Sequence, residues 1–300
     1  MTIALKTSRR GFLVGSAAAA GGFMLGFHIP FGAEAATSAA DAAAGTPELN
    51  AWVVVRPDET VVVRVARVEM GQGTLTGLAQ LVAEELDCDW SRVTTEYPTP
   101  GQNVARNRVW GNFQTAGSRG IRDSHDYVRK GGAAARMMLV QAAADELGDT
   151  VYLAARAAGG VAYLLRCDGD SPVRVFTVEV GEVKRLAAGY AGIALLAALP
   201  PERRRAEVDA VVARPPRRWN LTDDGALHDL LDTLLRQMDE QGWCGGLPVV
   251  PGVAGVACGV PARTGGIPQV SLTASAAEQR MPPARVPEVA EVLRAAATRL

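Results

Sequence analysis

The sequence predicts an α+β protein, and three patterns carry that expectation. Strand-like runs come in pairs joined by short turn-forming segments, β-branched at residues 51–55 and 61–68, and again at 151–156 and 161–166. Such pairs signal hairpins rather than parallel βαβ units. Helical periodicity fills the stretches between them, most clearly in the stripe Leu227, Leu230, Leu231, Leu234, Leu235 and Met238, which lies on one face of a 3.6-residue helix. Strands adjacent in sequence and flanked by helices imply an antiparallel sheet with helices packed on it.

At the front, Lys6, Arg9 and Arg10 precede a weakly apolar run over residues 11–27, and Ala33-Glu34-Ala35 follows. A basic region, an apolar region and a small-x-small site in that order form an export signal, here residues 1–36. A membrane anchor is the competing reading. The run falls short of the ~20 residues a spanning helix needs and is broken by Gly11, Gly15, Gly21, Gly22 and Gly26, so no stable span is expected. Residues 37–49, rich in Ala, Ser, Thr and Asp, read as a linker.

The strands at 51–55 and 61–68 enclose the turn Arg56-Pro57-Asp58-Glu59-Thr60. Met70-Gly71-Gln72-Gly73 follows, and Leu75, Leu78, Leu81, Val82 and Leu86 then recur at helical spacing, with Thr74 or Thr76 as the expected N-cap. A second glycine loop, Thr115-Ala116-Gly117-Ser118-Arg119-Gly120, precedes a helix expected over residues 121–147. Glycine loops opening onto helices let backbone N–H groups approach an anion, and two of them could hold a diphosphate. Taken alone, each is equally an ordinary turn.

Beyond residue 148, Ala157-Ala158-Gly159-Gly160 turns one strand into the next, and residues 173–180 read as a third strand. A helix over 186–199 is stopped by Pro200-Pro201, and the leucine-striped helix ends at Gly242. Strands at 253–260 and 267–275 surround Arg263-Thr264-Gly265-Gly266, and a last helix covers 288–300. Thr273 and Ser275 are two apart on a strand, so their hydroxyls share one face.

Three hundred residues with 48% apolar and 21% charged side chains suffice for two domains with cores of their own. A net charge of -1 gives no general attraction to nucleic acid or anionic lipid. The clusters Arg203-Arg204-Arg205 and Arg217-Arg218 read as solvated faces. Cys88, Cys167, Cys244 and Cys258 are scattered and none sits at metal-ligand spacing from a histidine, so the expectation is small apolar packing and no metal site.

Ser8-Arg9-Arg10-Gly11-Phe12-Leu13 resembles a twin-arginine signal, with Val14 where a lysine is frequent. That resemblance implies export of an already folded protein to the periplasm. Asn50-Ala51-Trp52-Val53, Glu69-Met70-Gly71-Gln72-Gly73, Leu78-Ala79-Gln80-Leu81-Val82-Ala83-Glu84-Glu85-Leu86, Asp89-Trp90-Ser91-Arg92-Val93, Thr115-Ala116-Gly117-Ser118-Arg119 and Arg129-Lys130-Gly131-Gly132 follow one another in an order that resembles the molybdopterin-binding subunit of the xanthine dehydrogenase/aldehyde oxidase family. The isoquinoline 1-oxidoreductase β-subunit is the nearest variety. The resemblance implies molybdopterin cytosine dinucleotide as cofactor, an iron–sulfur subunit as partner, and Gly71, Gln72, Gly73, Thr115, Gly117, Ser118 and Arg119 as cofactor contacts. Family subunits are far longer and carry their catalytic glutamate near the C-terminus, and no counterpart is expected here. Glu69, Glu84 and Glu85 read as structural and no catalytic residue is assigned. Any enzymatic activity would be that of a molybdopterin-dependent oxidoreductase.

The second half has another vocabulary. Gly148-Asp149-Thr150-Val151-Tyr152-Leu153-Ala154, Asp170-Ser171-Pro172-Val173-Arg174, Leu221-Thr222-Asp223, Pro251-Gly252-Val253-Ala254-Gly255-Val256-Ala257 and Leu272-Thr273-Ala274-Ser275 resemble the effector-binding domain of IclR-type transcriptional regulators, with a GAF/profilin-like antiparallel sheet. The resemblance implies a small organic or aromatic acid as ligand, a homodimer through this domain, and Leu186, Ala188, Gly189, Thr273 and Ser275 around the ligand. Thr273 and Ser275 equally read as satisfying local backbone groups. Arg185 stands where a proline is usual, Ile193 where a lysine is, and Gly255 where a pocket cysteine is frequent. Trp243-Cys244-Gly245-Gly246-Leu247-Pro248 lacks the carboxylate expected after Gly242. No winged helix-turn-helix precedes the domain, so no nucleic-acid partner is expected. The sequence thus reads as a chimera: a partial molybdopterin-binding domain over 50–147 and an effector-binding domain over 148–300, meeting within 145–150. Ligand binding is expected ahead of catalysis. The location is periplasmic by the signal and cytoplasmic if the second half governs.

Overall fold

The computed structural model describes residues 49–300 apart from 57, 217–218, 220–222 and 263–265. The export signal, the linker up to residue 48, Arg217-Arg218, Leu221-Thr222 and Arg263-Thr264-Gly265 lie outside the described residues. Two compact units are distinguished: the described residues up to Met138 with Arg299–Leu300, and Leu139–Thr298. The division falls inside a helix that ends at Leu147, where Gly148 takes a left-handed φ of 70°.

In the first unit, β1 (Val53–Val55) pairs antiparallel with β2 (Val61–Arg64), and β3 (Val93–Glu96) joins β2 in parallel. The expected hairpin is present with shorter strands, and β3 is an addition. Val53, Val54, Val61, Val62 and Val63 are all buried, as β-branched residues in a covered strand should be. Helix α1 (Thr74–Leu86) buries Leu78, Val82 and Leu86. Its N-cap is Gly73 in left-handed conformation, not Thr74 or Thr76, and no side chain caps it. Two short helices follow, α2 (Pro100–Ala105), opened by a Thr99/Gln102 capping box, and α3 (Arg119–Arg122). The helix expected over 121–147 is interrupted after α3, and α4 starts at His125 and runs to Leu147. Gly132 of α4 lies so close to α1 that a Cβ there would meet Val82 O at 2.7 Å, which accounts for glycine at this crossing.

The second unit is built on a six-stranded sheet of order β6-β5-β4-β9-β8-β7, antiparallel throughout. Its strands are β4 (Thr150–Ala157), β5 (Gly160–Asp168), β6 (Val183–Lys184), β7 (Trp243–Gly245), β8 (Val253–Gly259) and β9 (Val270–Ala277). The first hairpin and the last two strands match expectation, with ends moved by a few residues. Residues 173–180 do not form a strand; β5 takes Val183–Lys184 as its edge partner instead. The 173–180 segment has strand-forming residues but no ladder, and Val173, Phe176 and Val180 stay exposed.

The helix expected over 186–199 begins with a 3₁₀ turn, Leu186–Ala188, and only then becomes α5 (Tyr190–Leu196). Gly189, with φ 164° and ψ 166°, is extended backbone between them. Pro200-Pro201 ends that helix and also opens another, because proline is suited to a first turn; α6 (Pro201–Val212) was not anticipated. Helix α7 (Asp224–Gln241) buries Leu227, Leu231, Leu234 and Leu235 and ends on left-handed Gly242, as its pattern required. Helix α8 is Val286–Arg299.

One face of the sheet carries Val151, Leu153, Leu272, Ala274, Val256 and Cys258, all at most 1% exposed. The other packs against α5, with α7 and α6 beyond it, in a core that includes Tyr152, Ile193, Leu196, Leu227 and Leu231. All four cysteines are buried, and none forms a disulfide among the described residues. Burial pushes the thiols of Cys167 and Cys258 up to about 12.

Candidate functional site

In the second unit the sheet, α5, the end of α6 and the segments around 177 and 249 border a half-open cavity of about 530 Å³. That size is within the range of small-ligand pockets. The strand ladder sets its floor. Tyr152 of β4, Thr273 of β9 and Ala257 of β8 stand abreast, and Thr150, Ser275 and Gly255 form the next row. Facing pairs in an antiparallel ladder share a face, so Thr273 and Ser275 both reach the cavity, as their spacing required. Thr273 is 4% exposed and its Oγ1 has no hydrogen-bond partner among the described residues. A hydroxyl left that way costs about 1–3 kcal/mol unless something supplies a partner.

Tyr163 reaches the same cavity because the β4–β5 ladder slips between Leu153 and Ala154. Leu165 pairs with Leu153 and Tyr163 with Ala154, so Leu164 is the extra residue and stays exposed. A bulge re-aims the side chains beyond it, and here it stands Tyr163 edge-on to Tyr152, ring centroids 5.7 Å apart. Burial raises the hydroxyl pKa of both tyrosines, so they remain neutral donors.

Of the three loop residues, Ala188 and Gly189 line the cavity and Leu186 does not. Its side chain is buried in the core beneath, and its carbonyl lies so close to α5 that a Cβ on Gly192 would meet it at 2.0 Å. Four charged wall residues were not foreseen: Glu182, Lys184, Arg185 and Arg214. Lys184 Nζ donates to Thr177 O at 3.0 Å and is 3.8 Å from the Glu182 carboxylate, while Arg185 donates to Ala210 O at 2.6 Å. No sequence pattern joins β6 to the end of α6, so only folding could reveal this basic wall.

In the first unit the two glycine loops do meet. Val68 N–H donates to Thr115 Oγ1 at 2.9 Å, and a Cβ on Gly120 would strike Thr74 Oγ1 at 2.6 Å. Buried Arg67 ties the second loop down, donating to Ser124 Oγ at 2.8 Å and to the Gln114 carbonyl at 2.5 Å. Gly71, Gly73, Gly117 and Ser118 all have positive φ, between 59° and 92°.

The donors of the first loop are already in use. The Glu69 carboxylate accepts from Gly71 N at 2.7 Å, Gly73 N at 2.9 Å and Leu75 N at 2.9 Å. Gln72 accepts from Met70 N at 2.5 Å and donates to Val68 O at 2.8 Å and Thr74 Oγ1 at 3.0 Å. Arg119 donates to Gln114 Oε1 at 2.8 Å and lies 3.6 Å from Asp123. An anion thus sits in the first loop, and it is the chain's own. As folded, the first loop does not fit a cofactor diphosphate, which would have to displace a carboxylate and would be repelled by it.

The N–H groups of Leu75 and Gly73, foremost, hold the Glu69 carboxyl below its usual range. Its stabilising effect is therefore complete above the ordinary carboxylate pKa and is lost as pH falls through the lower folded value. Thermal melts taken from neutral pH downwards should show acid destabilisation that is reduced in Glu69→Gln. Identical acid limbs in both proteins would rule the carboxylate out as the occupant of the loop.

Fold and cavity together define an α+β domain whose antiparallel sheet floors a half-open chamber, preceded in the chain by a unit with two facing glycine loops. Residues 9–158 match the family model of the molybdopterin cofactor-binding domain, and residues 132–300 that of the bacterial transcriptional regulator IclR C-terminal domain. The chain belongs to both families, one in each half. It is 39% identical over 146 residues to an isoquinoline 1-oxidoreductase subunit beta from Brevundimonas diminuta, a match covering 47% of this chain. It is 37% identical over 145 residues to a membrane-bound aldehyde dehydrogenase [pyrroloquinoline-quinone] from Gluconacetobacter polyoxogenes, a match covering 48% of this chain. The matches span 18% of the length of each of these relatives. Among solved structures, an IclR family transcriptional regulator from Brucella abortus is similar at 21% identity and TM-score 0.45, covering 54% of this chain and 59% of that one. The IclR of Thermotoga maritima is similar at 18% identity and TM-score 0.46, covering 60% and 66%. Among the described residues no helix is long and apolar enough to cross a membrane, and no group of acidic, His and Cys side chains could hold a metal ion.

Proposed function

We propose that the second unit is a receptor for a small organic or aromatic acid. The observation that carries this is the buried Thr273 hydroxyl, without a hydrogen-bond partner among the described residues, on the floor of a half-open cavity. Thr273 and Ser275 supply neutral donors, Lys184 and Arg214 give the wall its positive charge, and Tyr152, Tyr163 and Trp219 offer rings for an aromatic body. Ala188 and Gly189 complete the contact set, with Leu186 supporting them from the core. The domain boundary near residue 148 and pairing of two copies through this unit belong to the same reading.

Calorimetry and thermal shift on the full chain with benzoate, 4-hydroxybenzoate and straight-chain carboxylates test it. At least one acid should stabilise the protein. Thr273→Val should weaken that acid by roughly tenfold, the loss of one hydrogen bond to a charged group, while leaving the ligand-free protein equally or more stable because an unpaired buried hydroxyl is gone. If no acid shifts the melt of the wild-type chain, this reading fails.

A second reading is favoured by the family match of residues 9–158. In it the first unit is part of an exported molybdenum-hydroxylase subunit, carried by the twin-arginine signal to the periplasm. It holds molybdopterin cytosine dinucleotide through Gly71, Gln72, Gly73, Thr115, Gly117, Ser118 and Arg119 and works beside an iron–sulfur subunit. It ranks second because Glu69 occupies the loop that would have to open. Molybdenum and nucleotide content of the chain purified from a cofactor-competent host decides it: stoichiometric metal supports the reading, and its absence removes it.

A further inference from the structure

Part of the cavity lining is set by a pair of residues far apart in sequence. Gly255 of β8 stands beside Ser275 in the ladder, on the face that floors the cavity. A Cβ at Gly255 would lie 2.7 Å from Tyr190 Cδ2 and 2.8 Å from its Cε2, well inside van der Waals contact. The Tyr190 ring therefore occupies the space that any side chain at 255 would claim. Tyr190 is the first residue of α5 and is 8% exposed. Its hydroxyl donates to the Leu247 carbonyl, so its polar atom is already used and the ring contributes hydrocarbon to the cavity wall. Val249, Val250 and Val253 line the cavity as well. The chamber thus combines hydroxyls on its floor with apolar lining from the Tyr190 ring and these valines.

We propose that Tyr190, seated on Gly255, determines specificity by limiting the length of the apolar tail a bound acid can carry. This rests on the acid-receptor reading above. The carboxylate takes the Thr273 hydroxyl and cationic wall, and the tail runs along the floor towards the Ser275–Gly255 row, where it meets the ring. Each methylene that finds room should tighten binding about fourfold, the equivalent of burying one CH₂. The first methylene that meets the ring should weaken it, because a packed wall yields poorly.

The test is the affinity of the full chain for straight-chain carboxylates from acetate to octanoate. The wild-type protein should tighten stepwise to an optimum length and then weaken. Tyr190→Leu, which keeps an apolar wall but removes the ring, should move the optimum to a longer acid. Gly255→Ala, which pushes the ring, should move it to a shorter one. Tyr190→Phe, which loses only the hydroxyl bond to Leu247, should leave it in place and serves as the folded control. An optimum unchanged in both Tyr190→Leu and Gly255→Ala would overturn the inference while leaving the receptor reading intact. Failure of every acid to bind the wild-type chain would remove both, and the two failures are distinguishable.

Discussion

Asp149→Ala should destabilise the second unit by about 1.5–3 kcal/mol, the cost of losing a buried carboxylate paired with charged donors. The Asp149 side chain is 2% exposed and lies 2.8 Å from both Arg280 Nε and Arg285 Nη1. Arg285 also donates to the Leu147 carbonyl at 2.7 Å, and Arg280 O accepts from Arg285 at 2.6 Å. The cluster fastens the end of α4 and the start of β4 to the turn that follows β9. Losing the carboxylate removes the tie and leaves the guanidinium groups without their counter-charge. Asp149→Asn keeps an acceptor and should fall between alanine and wild type. Chemical denaturation of the three proteins checks the order; an alanine variant within about 1 kcal/mol of wild type would mean that the pair behaves like a surface ion pair.

Gly192→Ala should be comparably damaging, and it should also impair ligand binding. A Cβ there would stand 2.0 Å from the Leu186 carbonyl oxygen and 2.8 Å from its carbon. Both are backbone atoms, so no rotamer change relieves the contact. Overpacking of this kind costs about 1–3 kcal/mol or more, and the strain falls on the 3₁₀ turn Leu186–Ala188 that carries Ala188 and Gly189 to the cavity. A lower melting temperature together with a weakened response to the acid that stabilises wild type is the expected result. Alanine at the neighbouring Gly189 meets nothing closer than the Tyr163 hydroxyl at 3.7 Å and should cost much less. Equal losses at the two positions would contradict the packing argument.

What could be read without the fold depended on whether the deciding interactions were local. Helix α7 was fully legible: its leucines repeat at helical spacing and Gly242 supplies the left-handed cap, all within one helix length. The β4–β5 hairpin was legible because its turn residues lie between its strands. Thr273 and Ser275 were legible as a pair because strand periodicity alone puts them on one face. The ordered motifs in each half pointed to two families for a related reason, since each motif is a short local run.

The rest waited for tertiary structure, because it depended on partners distant in sequence. Residues 173–180 have the composition of a strand, but a strand exists only where a neighbouring ladder is free, and β5 is paired with Val183–Lys184. Leu186 carries the right motif and still points into the core, since the 3₁₀ turn that follows it decides which of its neighbours reach the cavity. Tyr163 faces the cavity only through the bulge against β4, and the seating of Tyr190 on Gly255 joins α5 to β8. The glycine loop after β2 shows the contrast most directly. Its sequence determined a turn rich in backbone donors at a helix start. Only the folded geometry decided that Glu69, two residues before the first of those glycines, curls back to fill it. Local periodicity and turn chemistry act over a few residues and can be read from the chain, whereas which donor meets which acceptor is settled only when the elements pack.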